Sequence, residues 1–136
     1  MRVLFDTNIV LDLLLDRSPY ADAAADLFAK VENGTIIGYL CATTITTVHY
    51  LASKVVGSAR AKKEIAKLLS IFQVAAVNRT VLESALRTHF SDFEDAVLHE
   101  AAFHAGVEVV VTRNVKDFKK SRITVYDSAE LAGILA

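Results

Sequence analysis

Short, unbroken apolar runs recur along this chain, and each gives way to a longer segment whose apolar residues fall at helical spacing. Val3-Leu4-Phe5 opens the series, and such a run predicts a strand buried on both faces. Ile9 to Leu15 predicts a short buried helix, closed by Asp16-Arg17-Ser18-Pro19. Ala21 to Val31 sets Ala24, Leu27, Phe28 and Val31 at helical spacing, and Asn33-Gly34 ends it. Ile36 to Ala42 predicts a second strand, and Thr43 to Val55 a helix rich in β-branched residues. Ser58 is placed to cap a further helix, in which Ile65, Leu68, Leu69 and Phe72 share a face. Val74 to Val77 predicts a short strand, Thr80 to His89 a helix, and Ser91 the opening of another. Val107 to Val111 is the most strongly apolar strand, and Ile123 to Tyr126 an edge strand before a C-terminal helix. The alternation predicts an α/β fold, a mainly parallel sheet of about five strands covered by helices on both faces.

A length of 136 residues suits a single domain over 1–136 with one real core. The hydrophobic share of 53% and mean hydropathy of +0.36 call for elements buried on both sides. With 15 basic and 16 acidic residues the net charge is −1, which predicts no global attraction to nucleic acid. Binding to a polyanion then has to rest on local patches and metal ions. Cys41 is the only cysteine, so an internal disulfide is excluded and a reducing compartment favoured. The chain reaches Asp6 before any long apolar run, unlike a signal peptide. No stretch approaches the ~20 apolar residues of a membrane span. The expected setting is the cytoplasm.

Polar groups collect just after the apolar segments. Asp6, Thr7 and Asn8 follow the first strand, at the carboxyl end where open α/β sheets place their ligands. Asp92 and Asp95 stand three residues apart, on one face of a helix's first turn, where the helix dipole favours ionised carboxylates. Asn114 and Asp117 follow the most apolar strand. Carboxylates gathered from separate strand ends repel one another and are tolerable mainly around a cation. Each cluster also has an ordinary structural reading. Asp6 serves equally well as a helix N-cap, and Ser91 with Glu94 fits a capping box. Asn114 and Asp117 fit a plain polar loop. His99 and His104 are five residues apart, about 140° from one another on a helix, so they cannot share one metal. Basic runs at Arg60, Lys62, Lys63 and Lys67, and at Lys116, Lys119, Lys120 and Arg122, read as solvated faces. The second adjoins Asp117 and is placed to hold a phosphate backbone.

Together these residues resemble the PIN-domain family, over essentially the whole chain. Arg2-Val-Leu-Phe-Asp6-Thr7-Asn8 is similar to its opening strand and first metal-binding Asp. Asp92-Phe-Glu-Asp95-Ala96 is similar to its acidic helix start, and Thr112-Arg-Asn-Val-Lys-Asp117-Phe118 to its late motif. Two positions depart from the pattern: His49 stands where the family usually has Glu, and Asn114 where many relatives have Asp. Imidazole suits Mn²⁺ better than Mg²⁺, and His49 also reads as an ordinary, partly buried histidine.

The resemblance implies a three-layer α/β/α sandwich and Mg²⁺- or Mn²⁺-dependent hydrolysis of RNA, as in VapC-type toxins of toxin–antitoxin pairs. It places Asp6 and Asp95 on the principal metal and Asp92 and Asp117 as supporting ligands. Thr7, Asn8, Asn114 and His49 fall where water and phosphate oxygens are oriented. It also implies a homodimer and a small antitoxin partner. A second reading is a weakened PIN-like module that binds RNA or protein without cleaving. A phosphoryl-transfer domain is disfavoured, since Asn8 replaces the second Asp of a D-x-D motif. Neither glycine-rich nucleotide motif occurs.

Overall fold

The computed structural model describes residues 1–136. In chain order the elements are β1 (Arg2–Phe5), α1 (Thr7–Leu14), α2 (Ala21–Glu32), β2 (Ile37–Cys41), α3 (Ala42–Val56) and α4 (Ser58–Ile71). There follow β3 (Gln73–Ala75), α5 (Arg79–Leu86), α6 (Phe93–His104), β4 (Val109–Val111), a 3-10 turn (Val115–Phe118), β5 (Thr124–Tyr126) and α7 (Ser128–Leu135). The five strands pair in the order β3-β2-β1-β4-β5, all parallel. Parallel strands need a crossover between them, and the intervening helices supply it.

Alternation along the strands sorts the core into two halves. Val3 and Phe5 face one side with Leu27, Phe28, Val48, Leu68 and Phe72. Leu4 and Val110 face the other with Ala85, Ala96, Ala101 and Phe118. The sheet is therefore sandwiched, with α1 to α4 and α7 on one face and α5 and α6 on the other. Phe5, Phe28 and Phe72 meet edge-to-face, with ring centroids 5.2–5.4 Å apart. Gly38 on β2 makes room for them, since a Cβ there would stand 2.6 Å from the Phe72 ring.

Three local expectations are corrected. The cap of α4 is Gly57, at φ 85, and no side chain caps that helix. Ser58 is its first residue instead, because glycine takes the left-handed turn between α3 and α4 without strain. Leu69 is 49% exposed, so the buried stripe of α4 is narrower than its four apolar residues suggest. The cap of α6 is Asp92, not Ser91, which shifts the helix start by one residue. No helix is long and apolar enough to cross a membrane.

The chain leaves β1 for β2 on one side, and β4 pairs on its other side. The strand order thus reverses between β1 and β4. Crevices at the carboxyl ends of strands beside such a reversal are where open α/β sheets bind ligands. Asp6 and the segment Thr112–Phe118 both emerge there.

Candidate functional site

Asp6 is the residue on which β1 ends and α1 begins. Its backbone N–H donates to the Val111 carbonyl at 2.9 Å, extending the β1–β4 ladder by one bond. Its Oδ1 accepts the Thr7 N–H at 2.7 Å, so the capping reading is correct. That role leaves Oδ2 for the Thr112 hydroxyl, which donates at 2.7 Å. The same hydroxyl accepts the Asn114 N–H at 3.0 Å, tying the loop after β4 to the carboxylate. Each Asp6 oxygen keeps a further lone pair for a ligand. Burial raises the Asp6 carboxyl above its ordinary range. The Thr112 and Thr7 hydrogen bonds oppose this, and the charges of Glu94 and Asp92 add to it.

The start of α6 supplies the next carboxylates. Asp92 caps the helix by accepting the Asp95 N–H at 2.9 Å. Asp95, half-buried one turn on, is pushed up to about 7. Burial is the main cause, followed by the charges of Asp6, Asp92, Asp117 and Glu94. Asp117 rides on the 3-10 turn, where its N–H donates to the Asn114 carbonyl at 2.9 Å and buried Phe118 anchors the segment. Three separate segments thus bring their carboxylates to bear on Asp95. Glu94 belongs to this group as well. Its expected place was a capping box with Ser91, which the true cap at Asp92 does not form.

The remaining candidates are less concentrated. The Thr7 hydroxyl shares a 3.0 Å hydrogen bond with Thr44 of α3, which ties α1 to α3 and leaves the hydroxyl further hydrogen-bonding capacity. Asn8 is half-buried, and Asn114 is exposed. His49 lines a small pocket between α3 and α4 with Ile45, Thr46, Lys62 and Ile65, and its Nε2 is buried without a hydrogen-bond partner. It is not among the groups acting on Asp6 or Asp95.

Thr112, which holds Asp6, escaped the sequence reading as a site residue, and so did a buried carboxylate. Asp12, inside the apolar run of α1, is fully buried. Arg113 Nε lies 3.2 Å from it and Arg17 Nη1 3.9 Å, and the Arg113 guanidinium stacks on Tyr20 at 4.3 Å. Burial raises the Asp12 carboxyl, while Arg113 and then Arg17 hold it down. Asp12 therefore anchors the loop that carries Asn114 and Asp117. Arg113→Ala is expected to cost about 3 kcal/mol at neutral pH, because it strands a buried carboxylate. The loss should shrink as the pH is lowered, because burial favours the protonated form of Asp12; urea unfolding at neutral and acid pH checks it.

No three acidic, histidine or cysteine side chains stand closely enough, as arranged here, to enclose an ion. By chemistry the donors nonetheless suit a hard divalent cation. All are carboxylate oxygens, and the Asp95 carboxyl is raised first by burial and then by its acidic neighbours, whose repulsion a cation would relieve.

The family profile of the PIN domain matches residues 2–116. No curated protein matches the chain. Among solved structures, a toxin–antitoxin complex from Klebsiella pneumoniae is 26% identical, with 93% of this chain and 97% of that chain covered at a TM-score of 0.69. VapBC2 from Rickettsia felis, bound to a DNA fragment from its promoter, is 14% identical, with 93% and 98% covered at 0.71. A sarcin-ricin loop cleaving toxin from Mycobacterium tuberculosis is 16% identical, with 79% and 86% covered at 0.63. At such identities the last two speak for the fold alone.

Proposed function

The chain belongs to the PIN-domain family, and on that premise we propose that it is a metal-dependent endoribonuclease, the toxin of a toxin–antitoxin pair. The observation that carries this reading is the convergence on Asp95 of carboxylates from the end of β1, the start of α6 and the turn after β4. Asp6 and Asp95 are the principal holders of Mg²⁺ or Mn²⁺, with Asp92 and Asp117 in support. Bound there, the cation supplies activation of water and neutralises charge on the scissile phosphate. Asp6 is oriented by Thr7 and Thr112 before any ligand arrives, which lowers the cost of organising the site. To the exposed amide of Asn114 we assign contact with a phosphate oxygen of the substrate. Glu94 adds to the negative field that attracts the cation.

The protein works as one domain over residues 1–136, as a homodimer in the cytoplasm, and is held in check by a small antitoxin. Its likeness to toxin–antitoxin complexes supports that partnership. The non-catalytic reading draws on His49 and Asn114. The acidic group assembles without His49 and with only the backbone of Asn114, which supports the enzyme. Incubation of single-stranded RNA with the purified chain tests the proposal. Cleavage should need Mn²⁺ or Mg²⁺, stop with a chelator, and be lost in Asp95→Asn. Cleavage that persists in the chelator would refute it.

A further inference from the structure

A cavity of about 450 Å³ opens between α5, α6 and the turn that follows Phe118. Its wall carries Arg87, Lys120 and Arg122 against a single carboxylate, Glu100. That carboxylate is already satisfied. Arg122 Nη2 donates to its two oxygens at 2.9 and 3.1 Å, and His99 Nδ1 lies 2.7 Å from Oε2. His99 Nε2 accepts the Arg122 N–H at 3.2 Å, so its ring proton sits on Nδ1 and the imidazole is neutral. Burial keeps it so, against the pull of Glu100. Arg87 and Lys120 take part in no ion pair at all. Two unneutralised cations therefore face one concave space in a chain whose net charge is −1.

The cavity shares two supports with the acidic group, α6 and the segment after β4, and adds α5. On α6, Asp95 and His99 are four residues apart, which places them on one face about 6 Å along the axis. After β4, Lys120 follows Asp117 by three residues. The acidic group by itself repels a polyanion. Attraction has to come from cations, and Lys120, three residues after Asp117, and Arg87, which lines the same cavity, are unpaired. The basic run on α4 lies elsewhere, since α4 packs on the opposite face of the sheet.

We propose that this cavity binds a backbone phosphate of single-stranded RNA, next to the phosphate that lies at Asp95. The proposal rests on the nuclease reading for its substrate class, but its test reads binding rather than cleavage. The probe is a labelled single-stranded RNA oligonucleotide, titrated by fluorescence anisotropy into the full chain carrying Asp95→Asn over a series of salt concentrations. Adding Arg87→Ala or Lys120→Ala should weaken binding several-fold and reduce the log–log salt slope by about 0.7 for each phosphate no longer neutralised. Arg87→Lys should restore the slope. Lys63→Ala, on α4, should leave affinity and slope unchanged and so serves as the charge control. Unchanged affinity and slope in folded Arg87→Ala and Lys120→Ala overturn the proposal, even if the wild type cleaves RNA. A reduced slope sustains it even if no cleavage is ever seen. Capture of a polyglutamate peptide through Arg87 and Lys120, with no binding of RNA, overturns it in favour of an acidic protein partner.

Discussion

Asp95→Asn, in protein stripped of divalent ions, should melt higher than the wild type at neutral pH, by roughly 5–10 °C. The substitution removes a carboxylate that burial and four neighbouring charges hold at about 7. The folded wild type keeps a proton on Asp95 that the unfolded chain gives up near the ordinary value of 3.8. Its contribution is therefore full at low pH and is lost as pH rises through about 7. A displacement of this size corresponds to about 4 kcal/mol, and solvent screening of a half-buried group reduces it to about 2. In a domain of this length that is several degrees of melting temperature. Asp6, also raised by burial, acts in the same direction. Saturating Mn²⁺ should reverse the order, because an ion bound only by the folded state stabilises the wild type and not the variant. Melting curves between pH 4 and pH 8, with and without Mn²⁺, check both statements. A wild type whose stability rises steadily across that window would contradict them.

The same substitution should lower RNA cleavage by more than about 100-fold. Loss of a residue that merely supports a metal ligand costs about 10–100-fold, and Asp95 is argued to be a ligand itself. Asp117→Asn should cost less, since Asp117 is exposed and its charge stands behind those of Asp6 and Asp92 in its action on Asp95. The two effects of Asp95→Asn point in opposite directions, higher stability and lower activity. A simple folding defect would lower both. Single-turnover cleavage at saturating Mn²⁺, with circular dichroism as the fold control, separates them.

Much of this architecture could be read from hydrophobic periodicity. A strand buried on both faces has no solvent side on which to place polar residues, so Val3-Leu4-Phe5 stops abruptly at Asp6 and marks the edge of the sheet. The same abrupt change marks Thr112 after β4. Helix starts were less legible. Ser91 and Asp92 are both good caps in adjacent positions, and composition alone does not choose between them. The choice matters, since it converts Glu94 from a cap partner into a member of the acidic group. The Asp12 pair was hidden for another reason. Its period fits the apolar face of α1, and its main partner, Arg113, is brought to it only by the pairing of β1 with β4. His49 falls at the motif position of a site residue, yet its ring lines the α3–α4 pocket, an orientation set by helix packing rather than by spacing.

That Asp95 carries a proton which a divalent ion displaces is open to direct measurement. Metal ligands bind as carboxylates, so loading the site has to release whatever protons they hold. Isothermal titration of Mn²⁺ into the metal-free chain, repeated in buffers of different ionisation enthalpy, counts those protons. At pH 6 the wild type should release about one proton per ion bound, and the release should fade above pH 8. Mn²⁺ binding at pH 6 with no proton released would contradict the account.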